Sequence, residues 1–155
     1  MAKRKTPRRS APKMTNSLGR SAIAGTFAYR FSGYTMKQDR PWWLTGVGRF
    51  EIDEKGNLTG AHQSAIMPIA GQDAKLITGA YSLQGSINVG ADGSGDASIL
   101  FTKTSGDGLN VKGQFFVTVG GDPDHLWLIS AGAVVPDTGK DANESVTLEA
   151  VRIAD

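Results

Sequence analysis

The chain has 155 residues, enough for one domain with its own core, and no cysteine, which excludes disulfides, thiolate catalysis and cysteine-ligated metal centres. The net charge of +2 divides unevenly: residues 1–20 carry seven Lys and Arg and no acid, whereas the remaining 135 carry 10 basic and 15 acidic side chains, a net of −5. No apolar run approaches the ~18 residues of a membrane helix, and none of ~7–15 follows the basic start as a secretory signal requires, so we expect no membrane insertion and a cytoplasmic protein.

The first segment, MAKRKTPRRSAPKMTNSLGRS, has two prolines, high charge and few large apolar residues. It has too little apolar surface to offset the entropy of ordering, so residues 1–21 are expected to form a disordered basic tail and residues 22–155 a single domain. Three readings of the tail stay open: a solvated arm, a tether for an acidic partner, or residues upstream of a start at Met14. Nucleic acid is expected as a partner only through residues 1–20.

Beyond the tail, runs rich in Val, Ile, Phe, Tyr and Thr predict strands at about 23–33, 44–53, 57–66, 75–89, 96–103, 109–119, 124–133 and 144–153. Glycine is nearly twice its usual ~7% share, at 20 residues, and falls between and within these runs. The connections D-E-K-G-N (53–57), A-D-G-S-G-D (91–96), S-G-D-G (105–108), G-G-D-P-D (120–124) and P-D-T-G-K (136–140) carry turn chemistry, with Gly56 taking the left-handed position in the first. No stretch has a capped 3.6-residue apolar period, although a few helical residues fit near 68–75. Eight strands joined mostly by short turns fit an antiparallel up-and-down (meander) barrel better than a two-sheet sandwich.

Alternation then assigns an interior. Phe27, Tyr29 and Phe31 share one face, opposite Arg30, and Gly48, Phe50 and Ile52 face in, opposite Arg49 and Glu51. Tyr81, Leu83, Ile87, Val89, Ile99, Phe101, Phe115, Val117, Val146 and Leu148 follow the same rule. His62, in phase with Leu58 and Ile66, also points inward, where a histidine serves either as a hydrogen-bonded core residue or as a base near neutral pH. Phe115 and Phe116 cannot both be inside, nor can Trp127 and Leu128, so the outer surface carries some apolar groups. A monomer is favoured over a homo-oligomer.

QDRPWWLTG (38–46) places Trp42 and Trp43 at the end of the first long loop, as a plug, a lid or a partner-binding patch at the barrel rim. The acids of DEKGN and DGSGD are spaced for turns, without the closing Glu of a calcium loop, and two isolated histidines do not make a zinc site. Phosphate-loop, dinucleotide and serine-elbow patterns are absent, so no cofactor and no metal are expected.

GTFAYRFSG, GVGRFEIDEKGNLTG and ITGAYSLQG together resemble bacterial proteins of unassigned function with a calycin-like barrel, related in fold to lipocalins and, more closely, to allene oxide cyclase. The resemblance covers roughly residues 24–153 and implies an eight-stranded barrel. The plant cyclases enclose a fatty-acid-derived epoxide, use a bound water and a glutamate, and form trimers. No residue carries over as that glutamate: Glu51 and Glu149 point outward by alternation, and Glu144 lies near the start of the last strand. The expected function is therefore a binding module for a small apolar or amphipathic molecule, held by Tyr29, Phe50, His62, Tyr81 and Phe115 inside and by Trp42 and Trp43 at the rim. A cyclase or isomerase, and a surface-recognised interaction protein without a small ligand, are the alternatives.

Overall fold

The computed structural model describes residues 20–37, 40–69, 75–120 and 122–154. A 3-10 turn (Arg20–Ile23) overlaps the last two residues of the expected tail, the rest of which lies outside the described residues. It leads into β1 (Gly25–Lys37), β2 (Arg40–Ile52), β3 (Asn57–Pro68), β4 (Ile77–Val89), β5 (Ser94–Gly106), β6 (Val111–Val119), β7 (His125–Val135), the two-residue β8 (Lys140–Asp141) and β9 (Glu144–Ala154). Neighbours from β1 to β7 pair antiparallel in sequence order, β7 pairs with β9, and β9 closes the sheet on β1. β8 and β9 flank the same strand: β8 opposes Val134 and Val135, and β9 opposes the stretch from His125 to Ile129. They amount to one barrel strand broken at Ala142 and Asn143, where Asn143 has a φ of 52°. The architecture is thus the closed, eight-stranded, up-and-down antiparallel barrel that turn spacing and alternation predict.

The inward residues follow from the two-residue period of a strand. Phe27, Tyr29, Phe31, Phe50, Ile52, Leu83, Ile87, Val89, Ile99, Phe115, Val117 and Leu148 are all buried, whereas Arg30, Glu51 and Phe116 are exposed. Arg30 and Glu149 form an ion pair of 2.8 Å on the outer surface. Phe116 and Ile129 are register partners on that surface, with Trp127 two residues along β7.

The two ends of the barrel differ. At one end tight turns close the sheet, as at DEKGN, where Gly56 has a φ of 85° and the Asp53 carboxylate accepts from the Lys55 and Asn57 backbone N–H groups. This half is solid. Ile23, Phe27, Phe50, Ile52, Leu58, Ile87 and Ile99 are each no more than 1 % exposed, and the Phe27 and Phe50 rings stack with centroids 5.5 Å apart. Burying one such side chain stabilises the fold by about 1.5–3 kcal/mol. Ile23, from the 3-10 turn, acts as the plug. Arg152 holds that turn in place by donating to the carbonyl oxygens of Ala22 and Ala24, and pairs with Asp124 at 2.6 Å. The other end carries the 37–40, 68–77, 106–111 and 135–144 connections, and the interior there is hollow.

At this open end the strands are longer than expected. The segment 34–43, expected as a loop, is strand on both sides: the β1–β2 register continues through Tyr34↔Trp43 and Met36↔Pro41 to Lys37↔Arg40. Pro41 is tolerated because the pairing of β2 with β3 stops at Trp42↔Pro68, so among the described residues no β3 partner awaits its missing N–H. Trp43 consequently lies on the outer face, 52 % exposed, beside Tyr34 and Met67. Trp42 occupies the inward register opposite Thr35 and is half-buried. The helical residues allowed near 68–75 fall largely outside the described residues.

Candidate functional site

The hollow half contains a cavity of about 250 Å³. Its wall is mainly apolar: Phe31, Leu44, Ile66, Phe101, Phe115 and Leu148 contribute from six strands. His62 and Tyr81 add polar groups on one side, and Asp107, Asp141 and Glu144 stand at its mouth. Among the described residues no lysine or arginine lines it.

His62 sits in an aromatic cage. Its ring packs against Phe31 at 4.7 Å, Phe101 edge-on at 5.5 Å, and Tyr29 and Tyr81 each at 5.7 Å between centroids. The Tyr29 hydroxyl lies 2.7 Å from His62 Nδ1. Sheet register explains the meeting: Tyr29 pairs with Gly48 on β2, and Gly48 pairs with His62 on β3. A side chain at position 48 would occupy the space between them, since a Cβ there would lie 2.6 Å from two atoms of the Tyr29 ring. Gly46 plays the same part for Phe31 and His62.

Burial sets the ionisation of this group. It lowers His62 from 6.5 to about 4, so the imidazole is neutral at neutral pH, and it drives the Tyr29 phenol well above its ordinary range, so the hydroxyl keeps its proton. Tyr81 is also raised, by burial first and then by the Glu144 charge, against a hydrogen bond from Ser64 that lowers it. The other hydroxyls of the wall are engaged with backbone: Thr35 donates to the Ala142 carbonyl at 3.2 Å and Ser130 to that of Glu144 at 3.3 Å.

Of the residues singled out by sequence, His62, Tyr81 and Phe115 converge on the cavity wall. Tyr29 stands behind His62 as its hydrogen-bond partner, and Phe50 lies in the solid half, 1 % exposed. Trp42 stands on the inward register near the rim, and Trp43 is outside the barrel. Alternation carried two steps beyond Val146 would have found Glu144, which faces Thr35 across β1 and β9 and lines the mouth. Leu44 and Ser64 are likewise in phase with inward residues on their strands. Among the described residues no group of three His, Asp or Glu could hold a metal ion. No family model matches the chain, and no curated protein matches it either.

Proposed function

We propose that this chain is a binding module for a small apolar or amphipathic molecule, built on a calycin-like barrel. The closed eight-stranded up-and-down order supports that kinship in fold. The observation that carries the function is the cavity itself: about 250 Å³, walled by aromatic and aliphatic side chains, in a barrel whose other half is fully packed. An apolar void of ~150 Å³ already takes a benzene-sized guest, so this one accommodates a substituted single ring or a short-chain amphiphile. Ligand-observed NMR with single-ring aromatics tests the reading. Binding should vanish in Ala133→Phe, which fills the void from a buried wall position. A wild-type protein that binds none of these compounds, or a filled variant that binds them equally, refutes it.

A second reading, a cyclase or isomerase, draws on Glu144, whose strand position turns it toward the cavity mouth. It requires that the protein convert a small epoxide or enolisable ketone and that Glu144→Gln stop turnover without abolishing binding. Binding without any conversion leaves the module as a carrier or sensor.

A further inference from the structure

The His62–Tyr29 pair defines which molecules the cavity accepts, an inference that rests on the binding reading above. A buried phenol has one proton to place, and an unpartnered buried hydroxyl is costly. The Tyr29 hydroxyl meets His62 Nδ1 at 2.7 Å. If Nδ1 carried a hydrogen and donated to Tyr29, the phenol proton would be left without an acceptor among the described residues. Tyr29 therefore donates, Nδ1 accepts, and the neutral imidazole carries its hydrogen on Nε2. The two nitrogens of an imidazole point in nearly opposite directions. With Nδ1 turned toward Tyr29, beside the solid half, Nε2 is turned toward the void that His62 lines. Among the described residues Nε2 has no hydrogen-bond partner, and no buried polar side-chain atom is sealed away without one, so Nε2 reaches open space.

The rest of the wall narrows the choice. Thr35 and Ser130 already direct their hydroxyl hydrogens to backbone carbonyls, and Ser64 directs its own to the Tyr81 oxygen, which leaves the Tyr81 O–H as the other wall hydrogen beside the Nε2–H of His62. The mouth carries Asp107, Asp141 and Glu144, with no lysine or arginine on the wall among the described residues. A carboxylate entering this site would pass three acids and lose its water without a countercharge. We propose that the cavity selects an uncharged ring or short chain bearing one hydrogen-bond acceptor, a ketone, aldehyde or ester oxygen, which receives the Nε2–H of His62. The same hydrogen makes His62 a donor to the ligand and not a base toward it.

Three probes of similar size, ethylbenzene, acetophenone and benzoate, separate the possibilities by calorimetric titration of the full chain. Acetophenone should bind about five- to tenfold more tightly than ethylbenzene, the ratio one neutral hydrogen bond supplies, with benzoate weakest. In His62→Phe the two neutral probes should bind equally, whereas Tyr81→Phe should keep the preference; the reverse pattern overturns His62 as the donor. Independently of any ligand, nitrogen NMR of the wild-type protein should show His62 as the Nε2–H tautomer, with a mixture of tautomers in Tyr29→Phe. Equal binding of acetophenone and ethylbenzene by the wild type, tighter binding of benzoate, or an Nδ1–H tautomer overturns the inference while leaving a binding cavity in place. Failure of all three probes to bind removes the binding reading and this inference with it.

Discussion

Tyr29 and His62 stand two strands apart and touch because Gly48, in the ladder row between them, has no side chain. A methyl group at position 48 would meet the Tyr29 ring and the Ala61 carbonyl, both at 2.6 Å. Gly48→Ala should therefore cost about 1–3 kcal/mol by overpacking and break the hydrogen bond. Chemical denaturation reads the first effect and the His62 nitrogen shifts the second. Unchanged shifts in the folded variant would show that the row has room to spare.

Burial of neutral His62 makes stability depend on pH. The unfolded chain takes up a proton near 6.5, but folded His62 does so only near 4. Between those values the unfolded state holds more protons, so stability falls as pH falls. The expected loss attributable to His62 is about 2 kcal/mol between pH 7 and pH 4.5. Denaturation of the wild type and of His62→Phe across this range checks it, since the slope should be shallower in the variant by that amount. Parallel slopes would contradict a buried neutral imidazole.

Arg152 is the clasp of the solid end. Its guanidinium lies 5.0 Å from the centre of the Phe27 ring, pairs with Asp124, and donates to two carbonyl oxygens of the segment that carries Ile23. Arg152→Ala should destabilise the fold by about 2–4 kcal/mol, and Arg152→Lys should recover only part of this, because one ammonium cannot match a planar fork. Loss of hydrogen-exchange protection at Ile23 and Ala24 should accompany it. A change below about 0.5 kcal/mol, the level of an ordinary surface substitution, would show that the plug holds itself.

At the DEKGN turn the conformation, and not the charge, is the constraint. Gly56, at a φ of 85°, also accepts from the Ile87 N–H at 2.8 Å. Gly56→Ala should cost about 1–2 kcal/mol, the penalty of a Cβ in the left-handed region. Millimolar calcium should leave the melting temperature unchanged, since both Asp53 carboxylate oxygens already bond to Lys55 and Asn57. Stabilisation by calcium would make the turn a metal site after all.

The barrel was legible because its signals are local. Alternation around Phe27, Phe50 and Val117 and left-handed glycine at position 56 need only a few neighbouring residues to be read. What escaped the sequence depends on register. The length of β1 and β2 beyond Gly33 was hidden by Pro41, whose tolerance rests on where β3 stops. The break at Asn143 looks like the end of a turn until β7 is seen pairing on both sides of it. The Tyr29–His62 bond joins residues 33 positions apart through a third strand, and Arg152 reaches carbonyls about 130 positions away. No local pattern encodes such pairs. His62 itself was readable as inward, but the depth of its burial, which decides its ionisation, was not.

The closure of β1 on β9 also bears on how the molecule comes to be made. Thr26 pairs with Ala154 and Thr35 with Glu144, so the first strand waits for the last. While the chain is being synthesised, β1 to β7 can fold as a curved sheet with two open edges, β1 and β7, each able to template a foreign strand. Contacts this distant in sequence form slowly, because loop closure must precede them. Until β9 arrives to fill both edges at once, the growing chain is most exposed to mispairing with another copy of itself, and β9 ends that exposure in a single step.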